Sequence, residues 1–145
     1  MIEKSFVLIK PDHVDLAEQI LHELDAYGQR IKTKKIRHVP KEVIENHYSI
    51  HKGKFFFKYM IDYFLNKPVV IAVYEGEDVI KRFIEIIGPT DPSKAPKETI
   101  RGKYSKDSLE NAIAEGRTVK NVIHRSDSPE EFIREIDIWK SYFEM

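Results

Sequence analysis

Four residues in this chain have types and positions that suit chemistry on a charged group: Lys10, Arg101, His124 and Glu135. His124 ends a short apolar run, 121–124, just ahead of a helix start marked by Ser128-Pro129. A turn shared with helix N-terminal amides favours a bound phosphate or a developing negative charge. Nucleophilic work by histidine needs a neutral ring, one free nitrogen and a group that holds the other. Glu135, two turns into the last helical pattern, is placed to supply that group. On position alone a packed, satisfied His124 and a solvated Glu135 account for the same pattern, so both readings stand. Lys10 closes the buried-strand run 6–9, at the sheet edge where ligands of α/β folds sit. The alternative is a lysine that simply leaves the core for water. Arg101, in Thr99-Ile100-Arg101-Gly102, reads by itself as a surface arginine.

Other chemistries are excluded by what is missing. The sequence has no Gly-x-Gly-x-x-Gly, no Gly-x-x-x-x-Gly-Lys-Ser/Thr and no Gly-x-Ser-x-Gly. Any phosphate site must therefore rely on side-chain cations. No cysteine is present, which removes disulfides, thiolate metal sites and a thiol nucleophile. His47 and His51 are four apart, a spacing two metal ligands can use. No third ligand is indicated near them, so structural or solvent roles are expected. His22 and His38 lie among polar residues with nothing to mark them.

The elements that must hold these groups follow from periodicity. The 145 residues fit one domain, 1–145, and 41% apolar with 33% charged residues is ordinary for a globular chain. Net charge is zero, so no overall field draws the chain to nucleic acid or anionic lipid. The N-terminal apolar run is too short for a signal core or a membrane span. A cytoplasmic setting is expected. Strands are expected at 6–9, 31–39, 69–74 and 121–124. A helix after Asp15, with Asp15 to Glu18 as a capping box and Gly28 as its C-terminal cap, follows the first strand. Helices are expected from Pro40, over 55–64 and over 79–87, the last stopped by Gly88-Pro89. The polar segment 88–104 reads as a loop, and 105–115 as a short polar helix. Ser128-Pro129 with Glu131 starts a final helix burying Phe132, Ile136, Trp139 and Phe143. The core pattern βαββαβ with added helices points to an α/β, ferredoxin-like sandwich on an antiparallel four-stranded sheet.

Taken together, Lys10-Pro11-Asp12, Gly88-Pro89-Thr90-Asp91-Pro92, Thr99-Ile100-Arg101-Gly102 and Asn121-Val122-Ile123-His124-Arg125-Ser126-Asp127-Ser128 follow the order seen in nucleoside diphosphate kinases. The chain resembles that family from Lys4 through Trp139. The resemblance implies a ping-pong transfer of the γ-phosphoryl of a triphosphate, such as ATP, to a nucleoside diphosphate through a phosphohistidine at His124. It implies Glu135 as the group orienting the ring, Ser126 assisting that pair and Tyr48 beside the nucleophile. Lys10, Thr90 and Arg101 match phosphate-binding positions, Lys10 and Asn121 sugar contacts, and Phe56 the aromatic that stacks on the base. It implies Mg²⁺ held through the nucleotide phosphates, with no metal ligands from the protein, and a homo-oligomer, tetramer or hexamer.

The chain departs from the family pattern in three places. Ile84 occupies the position of a family arginine; Arg82 is poorly placed to replace it, and Arg125 is the candidate compensating cation. His13 stands where a glycine is usual. Residues 106–116 read as an insertion of about ten residues. Two other readings are compatible with the sequence. One is a nucleotide-binding regulator with weak or no turnover. The other is a nucleic-acid-binding module using the basic stretch 30–37, although that stretch lacks the alternating aromatics of RNA-binding sheets, and no nucleic-acid partner is expected.

Overall fold

The computed structural model describes residues 1–144. Its centre is a four-stranded antiparallel sheet in the order β2-β3-β1-β4, made of β1 (Ile2–Ile9), β2 (Gln29–Ile36), β3 (Val69–Glu77) and β4 (Ile123–Arg125). Both faces of the sheet are covered, which explains why its central strands read as continuous apolar runs rather than alternating ones. Val7 and Ile9 of β1, with Val70, Ala72 and Tyr74 of β3, pack against α1 (Ala17–Leu24) and α4 (Val79–Ile87). Phe6 and Leu8, with Val69 and Ile71, face the opposite way toward α2 (Lys41–His47), α3 (Phe57–Phe64) and α7 (Pro129–Phe143). Two further short helices, α5 (Ile100–Tyr104) and α6 (Leu109–Glu115), lie between α4 and β4 in the chain. The expected ferredoxin-like sandwich is thus present, with α2, α3 and α7 closing the sheet's second face.

Several local expectations are corrected. The capping box at Asp15 does not form: Pro11–Leu16 winds straight off β1 as a 3-10 segment, and no side chain caps α1. The proline sets helical φ at once, leaving Asp15 inside the turn instead of ahead of the helix. Gly28 caps nothing, because α1 ends at Leu24; a Cβ there would come 2.9 Å from Val79 Cγ2, so glycine allows close packing. The segment 88–104 is not all loop. Thr99 accepts from the Gly102 amide at 3.0 Å and so starts α5. In α7 the fully buried positions are Glu135 and Trp139, one turn apart, flanked by Phe132, Ile138, Tyr142 and Phe143; Ile138 takes the place expected of Ile136. Phe55, expected in a helix, lies outside α3 and is 72% exposed.

Among the described residues no helix is long and apolar enough to cross a membrane.

Candidate active site

Register places His124. It pairs with Leu8 across the β1–β4 ladder, so its ring points to the α2/α7 face, while Ile123 pairs with Ile9 and enters the other core. Val122, just before it, is a β-branched residue at φ 78°, and the Ile123 amide donates to the Asn121 carbonyl at 2.9 Å. This is a classic γ-turn, a strained geometry that a buried side chain and the Lys10 amide bond to Val122 O (2.8 Å) hold in place. It also explains why β4 begins only at Ile123.

The turn aims three groups at one spot. The Asn121 carbonyl accepts from Arg101 Nε at 3.1 Å, and its Oδ1 accepts from Lys10 Nζ. Its amide nitrogen donates to the Thr90 carbonyl at 3.0 Å. Arg101 further donates to the carbonyls of Gly88 (2.9 Å) and Ile123 (2.7 Å). Arg101 therefore ties the α4 end to β4 as well as carrying charge.

Behind His124, Ser128 Oγ caps α7 by accepting from the Glu131 amide at 3.1 Å. Two turns on, Glu135 is buried and faces inward. One carboxylate oxygen accepts from His124 Nε2, and the other from Ser126 Oγ at 2.6 Å. Ser126 is itself fixed by accepting from the Phe6 amide at 2.9 Å. The carboxylate sets the tautomer: with the proton on Nε2, Nδ1 keeps its lone pair, and no protein group among the described residues bonds it. Burial, reinforced by the charges of Lys10 and Arg125, holds the His124 pKa well below the usual imidazole range, so the ring is neutral near pH 7. Burial raises Glu135, opposed by the Ser126 hydrogen bond. Lys10 is lowered to about 7 by burial and then by the charge of Arg101, and Arg101 to about 10 by burial and then by Arg125.

His124 opens onto a cavity of about 450 Å³. Lys10, Tyr48, Phe56, Thr90, Arg101, Asn121 and Arg125 line it too, while Ser126 and Glu135 support His124 from behind. Tyr48 is buried, and its hydroxyl carries no protein hydrogen bond among the described residues. Ile84 packs onto the α1/α4 core and is not at the cavity, and neither is Arg82. Arg125 is, with its side chain only 15% exposed and its Nη1 paired with Asp127. His13 bonds the Tyr104 carbonyl at 3.0 Å, joining the turn after β1 to α5.

Sequence reasoning expected a structural or solvent role for His47 and did not place it beside His124. It ends α2 fully buried, its ring edge-on to His124 with centroids 4.4 Å apart. Trp139 Nε1 donates to His47 Nδ1 at 3.0 Å, and burial, with the neighbouring His124, lowers the His47 pKa well below its ordinary value. The signal was its place on the same helix face as Ile44. Arg134 was missed too; it donates to the carbonyls of Asn46 (3.0 Å) and His47 (2.8 Å), where cations suit a helix C-terminus. His47, His124 and Glu135 bring ligand-type atoms within 4.8 Å of one another. Mg²⁺ prefers an all-oxygen shell, and both Glu135 oxygens already accept hydrogen bonds, so this trio does not fit that ion.

A neutral histidine braced by a carboxylate and facing lysine and arginine is equipped to take up a phosphoryl group. The family model described as nucleoside diphosphate kinase matches residues 3–145. A nucleoside diphosphate kinase of Carboxydothermus hydrogenoformans is 37% identical over 95% of this chain and 87% of its own length. One of Pyrococcus furiosus is 39% identical over 95% of this chain and 83% of its own. Among solved structures, the Borrelia burgdorferi nucleoside-diphosphate kinase with bound vanadate and ADP, a transition-state mimic, superposes with a TM-score of 0.89 at 27% identity, covering 95% and 86% of the two chains. An NDP kinase from Pyrobaculum aerophilum gives 0.88 at 27%, covering 99% of each. The chain belongs to the nucleoside diphosphate kinase family.

Proposed function

We propose that this chain is a nucleoside diphosphate kinase that works through a phosphohistidine at His124. The observation that carries the reading is a neutral ring with Nε2 held by Glu135 and Nδ1 left with its lone pair beside a cationic cavity. In the first half-reaction Nδ1 attacks the γ-phosphorus of a triphosphate, the P–N bond forms, and the bond to the β-bridging oxygen breaks to release a diphosphate. The ring gains positive charge as it attacks, and the Glu135 carboxylate at Nε2–H offsets it; Ser126 keeps that carboxylate aimed. In the second half an oxygen of another diphosphate attacks the same phosphorus and the P–N bond breaks. Phosphoryl transfer depends mainly on positioning and charge neutralisation, which Lys10, Thr90 and Arg101 supply, with Asn121 and Lys10 toward the sugar, Tyr48 beside the nucleophile and Phe56 against the base.

Mg²⁺ belongs on the nucleotide in this reading. Asp127 and Glu131, the carboxylates at the cavity, are paired with Arg125 and Arg134, so phosphate oxygens are the ligands the ion would find. When bound there it would neutralise phosphate charge. Arg125 supplies the cation that position 84 lacks. Arg125→Ala is expected to weaken nucleotide binding by about tenfold, the loss of one charge-assisted contact; unchanged rate and affinity would remove the idea. Residues 106–116 are an insertion carried by a single domain, and assembly is as a homo-oligomer in the cytoplasm.

Labelled ATP tests the whole reading. An acid-labile, base-stable phosphoprotein should form, discharge onto added GDP, and be absent in His124→Asn. Failure to form or discharge it would make the chain a nucleotide-binding regulator.

A further inference from the structure

We propose that α6 is the outer wall of a slot for the nucleobase, and that this wall favours purine over pyrimidine nucleotides. The proposal rests on the nucleotide reading of the cavity and extends it to a segment to which that reading gives no role. Away from Lys10 and Arg101 two segments give the cavity apolar linings. Ile50, Phe55, Phe56, Tyr59 and Met60 form one, leading into α3; Leu109, Ala112 and Ile113 of α6 form the other. Leu109, Ala112 and Ile113 fall at i, i+3 and i+4, one helix face. Of the three only Ala112 is buried, and Ile113 is 64% exposed, as Phe55 of the other lining is at 72%. Exposed apolar side chains lining the same cavity as Lys10 and Arg101 match a ligand with a flat, weakly polar ring at one end and phosphates at the other.

The wall is braced. Ser108 Oγ accepts from the Asn111 amide at 3.0 Å at one end of α6, and Gly116 at φ 65° closes the other. Asp107 takes Arg117 in a two-bond pair at 2.7 and 2.9 Å and also accepts from the Lys120 amide at 2.8 Å, which pins both ends of the segment together. Arg117 is therefore engaged as a strut, although it borders the cavity. At Gly116 the walls converge: a Cβ there would lie 3.9 Å from the Tyr59 hydroxyl. The two linings thus approach each other at that end of α6, and a larger ring covers more of them. Burial of apolar area scales with ring size, so a purine gains more than a pyrimidine.

The test is the affinity of the intact chain for ADP, UDP and ribose 5-diphosphate by calorimetry, in the unaltered protein and in the double variant Leu109→Ser/Ile113→Ser. Both side chains are partly exposed, so folding should survive, and a thermal melt checks it. Expected is a fall of about tenfold in the ratio of ADP to ribose 5-diphosphate affinity, as for withdrawing roughly 60 Å² of apolar contact, with a smaller fall for UDP. Leu109→Met/Ile113→Met, which restores an apolar face, should recover the ratio. An unchanged ratio would overturn the proposal, as would equal losses for ADP and ribose 5-diphosphate, or a change confined to the oligomeric state. Phosphoprotein formation by the unaltered chain, measured in parallel, reports on the His124 reading separately: the affinity ratio can fall as expected even if no label appears.

Discussion

Lys10 is close to losing its own proton near neutral pH, since burial and the Arg101 charge bring it down to about 7. A lowered lysine pKa means the charged form is present below that value and is lost above it. Arg101, lowered only to about 10, stays charged over the same range. The specificity constant kcat/KM reports the free protein, so it should decline above about pH 7, approaching about tenfold per pH unit if the Lys10 charge is needed. The bound polyphosphate restores that charge, so kcat alone should decline later. Measured pH profiles of both constants check this, and Lys10→Arg should remove the alkaline limb; a limb that persists in that variant belongs to another group. His47 makes a second argument at this scale. Trp139 is the chain's sole tryptophan and donates to His47 Nδ1 at 3.0 Å. His47→Ala removes a buried ring and orphans a buried N–H, together about 2–4 kcal/mol. A lower melting temperature and a shifted tryptophan emission should accompany a fall in kcat larger than any change in KM. His47→Gln, whose amide oxygen can accept the same bond, should recover part of the loss. His124, Lys10, Arg101 and Glu135 were visible in the sequence as residue types at telling places. What keeps the His124 ring neutral with Nδ1 free was not, because the burial and the Glu135 contact depend on tertiary register.

Elements decide how firmly those residues are held. Ser128 starts α7, which brings Glu135 to His124 and Trp139 to His47 from one face. Ser128→Ala should cost about 1 kcal/mol in a denaturant melt, and Ser128→Asp should restore it. A loss much below that range would mean that α7 is positioned by packing alone. This start was legible because Ser, Pro and Glu at fixed offsets are local chemistry. So were the 79–87 helix and the strand over 69–74, where periodicity spans a whole element. The Asp15 box failed because Pro11 had already set the backbone four residues earlier. The γ-turn at Val122 was invisible for a different reason: nothing in a β-branched residue announces positive φ, and only the ladder on one side with the Lys10 amide bond on the other imposes it. For the same reason α6 could be read as a helix, whereas its place at the same cavity as Phe56 could not.

At the scale of the molecule, every group assigned to the reaction comes from a single chain. Lys10 directly follows β1 and His124 lies on the neighbouring strand β4, with Tyr48 and Phe56 on the segment between α2 and α3, and Thr90, Arg101 and Asn121 on the connection from α4 to β4. The sheet order β2-β3-β1-β4 makes this possible, since it sets the last strand beside the first and brings residues 111 positions apart, Lys10 and Asn121, into one hydrogen bond. The topology was inferable from the βαββαβ pattern, but the cavity that it encloses was not. A cavity lined by one chain has a consequence for the oligomer proposed above. Assembly can add stability to a 17.1 kDa chain by burying surface, while the contacts that brace His124 here, from Glu135 and Ser126, are the chain's own. Phosphoprotein formation per chain should therefore be independent of protein concentration across the range where light scattering shows the oligomer dissociating, provided the fold is retained by circular dichroism. Labelling that falls in step with dissociation while the circular dichroism holds would mean that a neighbouring copy reaches the cavity or fixes α6, and the one-chain site would have to be abandoned.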